Sequence, residues 1–392
     1  MKFSCKKDEL LQALNLVSRA IGGQQALPIL GNILLEAEGK RCTVSATDLE
    51  LSIITSFEAN IENEGSITIP AKAFLNFAQY NSDDEILLET SEGIQLKCTS
   101  DHAKTVIAGE PAQEYPTITP IEKETSFSLN TEPLLGALHM VTFASARTTL
   151  RPVLSGVYLR AEKGKLIFVA TDSYRLSEFS IDAEGGGTDI SCIIPTKVLE
   201  ELRSILSSRK GDGEKKEGKD DKEGKKAKKE EAPPKQVKVS LSSQQIEMRV
   251  DNTILLSRLI DGKFPDYQQI IPKETKTTVK LPTKELMTTI KRMHYFAKEI
   301  NNNLTFEFKK GSVHITTPQT QAGQDETTLD AEVIGDNNKI ALSSSYLLDF
   351  LSHVEDEEVE VKLTDSMHPA VFNLSSNKLF LHLIVPLRIQ ED

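Results

Sequence analysis

The sequence predicts an α+β fold made of three tandem copies of a strand-rich unit with two helices. One phrase occurs three times, as FSCKKDELLQALNLV, FSLNTEPLLGALHMV and VKLPTKELMTTIKRM, beginning at Phe3, Phe127 and Val279. Each copy has the pattern of a short alternating strand, a polar turn and apolar residues spaced along one helix face. A phrase repeated at this length and in this order indicates one structural unit used three times.

A second phrase, also present three times, supplies the other helix of each unit. It reads ITIPAKAFLNFAQY, CIIPTKVLEELRSIL and IALSSSYLLDFLSHV, beginning at Ile67, Cys192 and Ile340. In each copy a strand enters a helix through proline or serine, which are residues that suit a helix start.

Alternating segments between and after the helices predict the strands. The edges of such sheets must be paired or covered, and closure of identical chains into a ring is one solution. The predicted strands include Asn32–Glu36, Cys42–Ala46, Leu51–Phe57, Ile86–Glu89 with Ile94–Thr99, and Val237–Leu241 with Gln245–Val250.

The spacing between copies identifies one insertion. Phe3 lies 124 residues before Phe127, whereas Phe127 lies 152 residues before Val279. The excess of 28 residues equals the length of the charged stretch 209–236, which has no Leu, Ile, Val or aromatic residue. The stretch is therefore predicted to be a disordered insertion within the second unit, not a linker, and its deletion should leave folding intact. The predicted domains are 1–124, 125–276 and 277–392.

The charge balance restricts where nucleic acid could bind. The chain carries a formal net charge of −12; the insertion holds 11 of its 46 basic and 8 of its 58 acidic residues, which leaves 35 against 50 elsewhere. With a net charge of +3 the insertion is at best a weak DNA-binding arm, so any nucleic-acid surface must gather basic side chains from the rest of the chain.

Two lysines recur at the same place in the repeat. Lys72 and Lys197 stand in the first turn of the second helix, where the helix dipole disfavours a cation. Each could be a solvated lysine, but further basic residues in or beside the predicted helices indicate a helix-lined surface for phosphates, read without sequence specificity. These residues are Arg19, Arg147, Arg151, Arg203, Lys284, Lys291, Arg292 and Lys298.

The sequence contains no recognisable catalytic or metal-binding motif. Histidines are scattered, no phosphate-binding loop is present, and the four cysteines lie far apart, as expected for buried thiols. An enzyme using Asp48 and Glu50 is an alternative, although Ala46–Asp48 recurs as Ala170–Asp172, which favours a turn at a strand end. No catalytic residue, metal or cofactor is predicted. Without a signal-peptide core or an apolar run of membrane-spanning length, the chain is expected to be cytoplasmic.

Five phrases resemble the bacterial sliding clamps, the beta subunits of DNA polymerase III, and the resemblance covers the chain except for 209–236. They are Leu27–Asn32, Val169–Leu176, Asp261–Tyr267, Leu363–Ser366 and Val385–Arg388. The resemblance implies a non-catalytic processivity subunit. Two three-domain chains would join head to tail into a ring around duplex DNA, with inner helices and outer sheets. The alternative is a repeat scaffold that binds peptides without encircling DNA.

The resemblance also implies three sets of residues. A groove between the second and third domains would take short peptide motifs from the polymerase alpha subunit, the clamp loader, other polymerases and repair proteins. Its lining would be Leu154, Thr171, Ser173, Tyr174, Arg175, Leu176, Pro265, Gln269, Ile270, Leu383, Ile384, Val385, Pro386, Leu387 and Arg388. DNA would be contacted by Gln24, Lys72, Thr148, Arg151, Pro152, Val153 and Lys197. Tyr295 and Phe296 would lie at the homodimer interface.

Overall fold

The computed structural model describes residues 1–22, 27–91, 94–148, 150–182, 190–213 and 236–389, with side chains described up to 208 before the gap at 214–235. Gln24 and most of the predicted insertion therefore lie outside the described residues. The chain divides into two compact units. Unit 1 is Met1–Glu132 with Glu200–Leu259, and unit 2 is Pro133–Leu199 with Ile260–Asp392.

The elements follow one order in all three repeats: strand, helix, four or five strands, helix, three strands. The first repeat contains β1 Lys2–Lys6, α1 Lys7–Val17, β2 Asn32–Glu38, β3 Arg41–Thr47, β4 Leu51–Glu58, β5 Asn60–Asn63, β6 Gly65–Pro70, α2 Ala71–Tyr80, β7 Glu85–Ser91, β8 Gln95–Thr99 and β9 Lys104–Ala108. The second contains β10 Thr125–Asn130, α3 Thr131–Val141, β11 Gly156–Glu162, β12 Lys165–Thr171, β13 Arg175–Asp182, β14 Ser191–Pro195, α4 Thr196–Gly213, β15 Gln236–Leu241, β16 Gln245–Val250 and β17 Thr253–Arg258. The third contains β18 Thr277–Pro282, α5 Thr283–Ala297, β19 Asn303–Lys309, β20 Ser312–Thr316, β21 Glu326–Asp330, β22 Glu332–Gly335, β23 Asn338–Ser343, α6 Ser344–Leu351, β24 Glu358–Leu363, β25 Ala370–Leu374 and β26 Phe380–Ile384.

Each predicted strand-to-helix phrase is present, but the polar turn expected within the first phrase is absent. In the first repeat β1 ends at Lys6 and α1 begins at Lys7. Helix α1 then buries Leu10, Ala13, Leu14 and Val17, the spacing of one apolar face. The polar residues at the helix start belong to its first turn, where Asp8 and Glu9 suit the positive end of the helix dipole.

Unit 1 contains two antiparallel sheets. The first has the strand order β5-β1-β7-β8-β9, and the second has the order β10-β15-β16-β17-β4-β3-β2-β6. In the second sheet the last strand of the second repeat, β17, pairs with β4 of the first repeat, with Ser257 opposite Leu51.

Unit 2 also contains two antiparallel sheets, ordered β14-β11-β12-β13-β26-β25-β24-β18-β22 and β21-β20-β19-β23. Here the last strand of the third repeat, β26, pairs with β13 of the second, with Arg175 opposite Ile384. The second repeat is thus shared between the units because each half of its strands continues into the sheet of a neighbouring repeat. The boundaries of the predicted domains coincide with the repeats, whereas the boundaries of the compact units coincide with the sheets.

The predicted limits of the insertion need correction. Helix α4 continues to Gly213, and Gln236 is already the first residue of β15. Nothing in Arg209–Asp212 forbids a helix, since proline is absent and Gly211 is only disfavoured there, so the charged composition did not mark the helix end. Residues 214–235 lie outside the described part of the chain.

Candidate functional site

The turn between β12 and β13 is held by its own side chains. Asp172 Oδ1 accepts hydrogen bonds from the backbone N–H groups of Tyr174 and Arg175, at 2.9 and 3.0 Å. Thr171 Oγ1 donates to the carbonyl of Arg175 at 2.6 Å and accepts from the N–H of Ser173 at 3.1 Å. Ser173 has a φ of 81°, which only such local bonds make tolerable for a residue with a side chain. The turn leaves the Tyr174 side chain 59% exposed.

Arg175, predicted as a groove residue, is almost fully buried, with 4% of its surface exposed. Its Nε donates to Asp172 Oδ2 at 3.1 Å, Nη1 to Asp349 Oδ2 at 2.7 Å and Nη2 to the carbonyl of Phe143 at 2.7 Å. The guanidinium also lies over the rings of Phe143 and Tyr346. Arg175 therefore connects the turn to helix α6 and to the turn that follows α3, and each of its three guanidinium nitrogens donates a hydrogen bond within the chain.

Three predicted lining residues form the floor of the candidate groove. Leu154, Leu176 and Leu383 belong to one buried apolar cluster that also contains Phe264. Thr171 and Ile384 are buried as well. These side chains are packed against one another. They therefore support the surface above them and expose little surface themselves.

The exposed wall is formed by the end of the chain. The N–H of Val385 donates to the carbonyl of Tyr174 at 2.8 Å, and the N–H of Leu387 donates to the carbonyl of Ala341 at 2.8 Å. Asn303 Nδ2 donates to the carbonyl of Arg388 at 3.0 Å. Three hydrogen bonds to other parts of the chain thus fix the segment Val385–Arg388. Within it Val385, Pro386 and Leu387 are half-buried, and Arg388 is exposed.

Three further predicted groove residues lie in the segment before β18. Pro265, Gln269 and Ile270 are exposed, and Gln269 Nε2 donates to Asp266 Oδ2 at 2.6 Å. The buried Tyr267 anchors this segment, because its hydroxyl donates to Glu178 and accepts from Arg160 Nε at 3.1 Å. Loss of hydration and the Glu178 carboxylate raise the pKa of Tyr267, so this hydroxyl stays protonated and able to donate.

Two residues beside this groove were not predicted. Met367 is 83% exposed on the loop before β25, whose first residue Ala370 pairs with Ile384 of β26. Tyr346 lies on α6 with its ring stacked on that of Tyr174, centroids 6.3 Å apart. The exposed methionine within a polar loop was the only signal in the sequence, and nothing marked Tyr346, because its place depends on packing between repeats.

The predicted DNA-contacting residues occur in both units. In unit 1 Lys72 is exposed at the second residue of α2. In unit 2 Thr148, Arg151 and Pro152 are exposed, Val153 is half-buried, and Lys197 is exposed at the second residue of α4. The N–H of Thr196 donates to the carbonyl of Ser155 at 3.2 Å, which places the Arg151 loop beside the start of α4. Gln24 is outside the described residues.

The predicted interface aromatics lie at the end of α5. Tyr295 is exposed, Phe296 is half-buried, and the two rings meet edge to face with centroids 5.3 Å apart. One turn earlier Arg292 bonds Asp325 and Thr327, which ties this end of α5 to β21.

Asp48 and Glu50 do not form a catalytic pair. Asp48 Oδ1 accepts from the N–H groups of Glu50 and Leu51, and Thr47 donates to the carbonyl of Leu51, as in the turn at Asp172. The turn interpretation is confirmed by these bonds. No group of three or more metal-ligating side chains occurs among the described residues. The four thiols are free, and burial raises the pKa of Cys5, Cys98 and Cys192 to about 12.

These features define a class: a protein of three α+β repeats whose sheets continue from one repeat into the next. Family models of the DNA polymerase III beta subunit match the N-terminal domain at residues 1–119, the central domain at 128–214 and the C-terminal domain at 268–388. The chain belongs to the DNA polymerase III beta-subunit family and has its three-domain clamp fold.

Relatives over the full length agree with this assignment. The beta sliding clamps of Vibrio cholerae and Chlamydia pneumoniae are 26% and 27% identical, with 99% and 100% of this chain and all of each relative covered. Crystal structures of the sliding clamps of Bacillus subtilis and Pseudomonas aeruginosa superpose with TM-scores of 0.88 and 0.89. Both are 26% identical; 100% and 99% of this chain and all of each of those chains are covered. No helix in the described ranges is long and apolar enough to cross a membrane.

Proposed function

We propose that this chain is a DNA sliding clamp, in which two copies close head to tail into a ring around duplex DNA and hold the replicative polymerase on its template. The observation that carries the proposal is a pairing rule repeated at both junctions within the chain. The fourth strand of one repeat pairs antiparallel with the last strand of the next, as β4 does with β17 and β13 with β26.

The same rule predicts a contact between copies. The fourth strand of the third repeat is β21 and the last strand of the first repeat is β9, and each is the outermost strand of its sheet. Strand β21 of one copy would therefore pair with β9 of the other. Two such contacts would close six repeats into one ring with head-to-tail polarity.

The register of this contact follows from equivalent hydrogen bonds. Asp325 corresponds to Arg175 in the repeat. The N–H of Asp172 donates to the carbonyl of Arg175, and the N–H of Thr317 donates in the same way to the carbonyl of Asp325. Ile107 corresponds to Ile384 in the repeat. Each of the two lies three residues before a residue that forms an isolated β-bridge just beyond the end of its strand. Since Arg175 lies opposite Ile384, Asp325 would lie opposite Ile107 of the other copy.

One step along the strands, the pair is Glu326 with Val106 of the other copy, as Leu176 pairs with Leu383. Val106 is 53% exposed in the single chain, which is unusual for a central valine of a strand and suits an edge that becomes covered. Tyr295 and Phe296, at the end of α5 beside β21, would lie next to this contact.

The ring would act on DNA through its inner helices and their neighbouring loops. Lys72 and Lys197 at two helix starts and Arg151 beside α4 supply positive charge on a chain of net charge −12. Contacts of this kind neutralise phosphates without reading bases, so they allow sliding, while the acidic remainder discourages adsorption elsewhere. A polymerase tethered to the ring benefits from a raised effective concentration at the primer end, and no chemistry by the clamp is needed.

The groove in unit 2 would hold the partners. Its half-buried aliphatic wall at Val385–Leu387, the exposed Tyr174 and Ile270, and Arg388 at one end suit a short peptide with apolar side chains and a few polar anchors. Such peptides would come from the polymerase alpha subunit, the clamp loader, other polymerases and repair proteins.

The deciding experiment is topological. The chain is loaded by its clamp loader onto nicked circular DNA and separated by gel filtration, and the DNA is then linearised. A clamp stays with the circle and is lost from the linear form. A peptide-binding scaffold that does not encircle DNA would show the same weak retention on both forms, and that result would refute the proposal.

A further inference from the structure

The junction in unit 1 has the same backbone framework as the proposed groove in unit 2. Asp48 Oδ1 accepts from the N–H groups of Glu50 and Leu51 at 3.1 and 2.7 Å, the bonds made by Asp172 to Tyr174 and Arg175. Leu49 has a φ of 75°, matching the 81° of Ser173. The two turns are therefore equivalent residue by residue.

The neighbouring repeat meets both turns in the same way. The N–H of Arg258, at the end of β17, donates to the carbonyl of Glu50 at 3.1 Å. The N–H of Val385, just after β26, donates to the carbonyl of Tyr174 at 2.8 Å. Leu30, like Leu154, is buried with 3% exposure. A groove of the same shape could thus exist twice in the chain.

At three of the equivalent positions an apolar or aromatic side chain of unit 2 is replaced by a polar one in unit 1. Tyr174 of unit 2 corresponds to Glu50 of unit 1, and Val385 corresponds to Arg258. In addition, Leu176, part of the apolar cluster, corresponds to Ser52, whose hydroxyl donates to Thr47 Oγ1 at 2.8 Å. The exposed Tyr174, the half-buried Val385 and the buried Leu176 of unit 2 are thus replaced in unit 1 by an acid, a base and a hydroxyl.

Glu50 and Arg258 lie across the turn from one another. Their charged atoms are 3.8 Å apart, and the side chains are 68% and 64% exposed. Such a pair adds little to folding stability because water screens it. An apolar peptide laid on it would, however, remove water from both charges without replacing their hydrogen bonds, which is strongly unfavourable.

We infer that positions 50, 52 and 258 determine specificity: they close the first junction to the apolar peptides bound at the second, so each chain offers one peptide site. This inference rests on the proposed groove of unit 2. Since the backbone is shared, the difference in binding must lie in the side chains, and the inference assigns it to the three that change from apolar or aromatic to polar.

Photo-crosslinking tests the unaltered surfaces. The amino acid p-benzoylphenylalanine is placed at position 49 in one variant and at the equivalent position 173 in another, and each ring is mixed with the polymerase III alpha subunit. Crosslinks from position 173 and a yield at least tenfold lower from position 49 are expected. Equal yields at the two positions would overturn the inference while leaving the groove of unit 2 in place. Absence of crosslinks at 173 would instead refute the proposed groove.

Exchange of the side chains tests their sufficiency. The double variant Tyr174→Glu with Val385→Arg should weaken alpha-subunit binding at least 30-fold while the dimer persists, and Tyr174→Phe with Val385→Ile serves as the uncharged control. Adding Glu50→Tyr, Ser52→Leu and Arg258→Val to the double variant should restore binding, now at the first junction. Because Ser52→Leu alters a buried position, the set is repeated without it and each melting curve is recorded. Folded rings that regain no binding in either set would overturn the inference.

Discussion

The proposed contact between β9 of one copy and β21 of another can be tested for its register through one residue pair. Val106 and Glu326 of the other copy are expected to lie directly opposite one another. The change Val106→Glu would place two carboxylates face to face at each interface, whereas Val106→Lys would place opposite charges there. The two variants have side chains of similar length and hydration, so they differ chiefly in the sign of the charge opposite Glu326.

The magnitude follows from the number of contacts. A directly opposed cross-strand pair changes stability by roughly 0.2–1 kcal/mol, with like charges unfavourable. A ring contains the pair twice, so Val106→Glu should weaken dimerisation by about 0.4–2 kcal/mol, roughly 2- to 30-fold in the dissociation constant. Val106→Lys should dissociate less readily than Val106→Glu, and adding Glu326→Lys to Val106→Glu should restore the dimer.

Analytical ultracentrifugation over a concentration series measures these constants directly. The difference between the Glu and Lys variants should shrink at high salt, because exposed charges are then screened. Equal weakening by both substitutions, or no rescue by Glu326→Lys, would show that position 106 does not face position 326 and would refute the register derived from the repeats.

Three further predictions concern unit 2. Pro386→Glu, at a half-buried wall position, should reduce alpha-subunit binding at least tenfold in a pull-down titration with the melting temperature unchanged; Leu176→Glu, at 0% exposure, should instead unfold unit 2. Arg175→Met should lower the free energy of unfolding in urea by about 2–4 kcal/mol, because the partly buried Asp172 Oδ2 and the Phe143 carbonyl lose their guanidinium donors. The control Asp349→Asn, at a more exposed partner, should lower it by about 1 kcal/mol or less. Burial, then the positive charge of Arg175 and His353, holds the pKa of His382 well below its ordinary 6.5. As the pH is lowered, the unfolded chain therefore binds this proton at a higher pH than the folded chain does. The stability is fully present above about pH 6.5, and the free energy of unfolding should fall by about 1.4 kcal/mol from pH 7.5 to 5.5. His382→Asn should flatten that pH dependence, and an unchanged slope would contradict the assignment.

The repeat itself was readable from the sequence because it depends on local periodicity. The strand and helix of each phrase, such as β1 with α1, need only alternation followed by helical spacing, and the structure contains all six. Two short strands were missed. β5, Asn60–Asn63, and β22, Glu332–Gly335, have no apolar alternation, and only their partners β1 and β18 give them strand geometry.

The candidate groove was located from the resemblance, but its depth could not be predicted. Whether Leu176 is floor or wall depends on Leu154, Phe264 and Leu383, which come from three separate parts of the chain. The role of Arg175 depends on Asp349, 174 residues away in sequence, and on a carbonyl at Phe143. Contacts of this separation leave no local pattern, so sequence alone cannot distinguish a supporting arginine from one that meets a ligand.

The two edge strands of the proposed contact, β9 and β21, differ from one another, and this difference affects where the assembly of copies ends. If β9 of one copy pairs only with β21 of another, copies can be added without limit. The strand pairing alone therefore does not distinguish a closed ring from a growing filament. In the proposed ring the endpoint would come from the angle turned at each junction, because these angles would have to sum to a full circle after two copies. A substitution that altered the bend at β4–β17 or β13–β26 by a few degrees could leave every pair intact and still convert a discrete particle into an open spiral polymer.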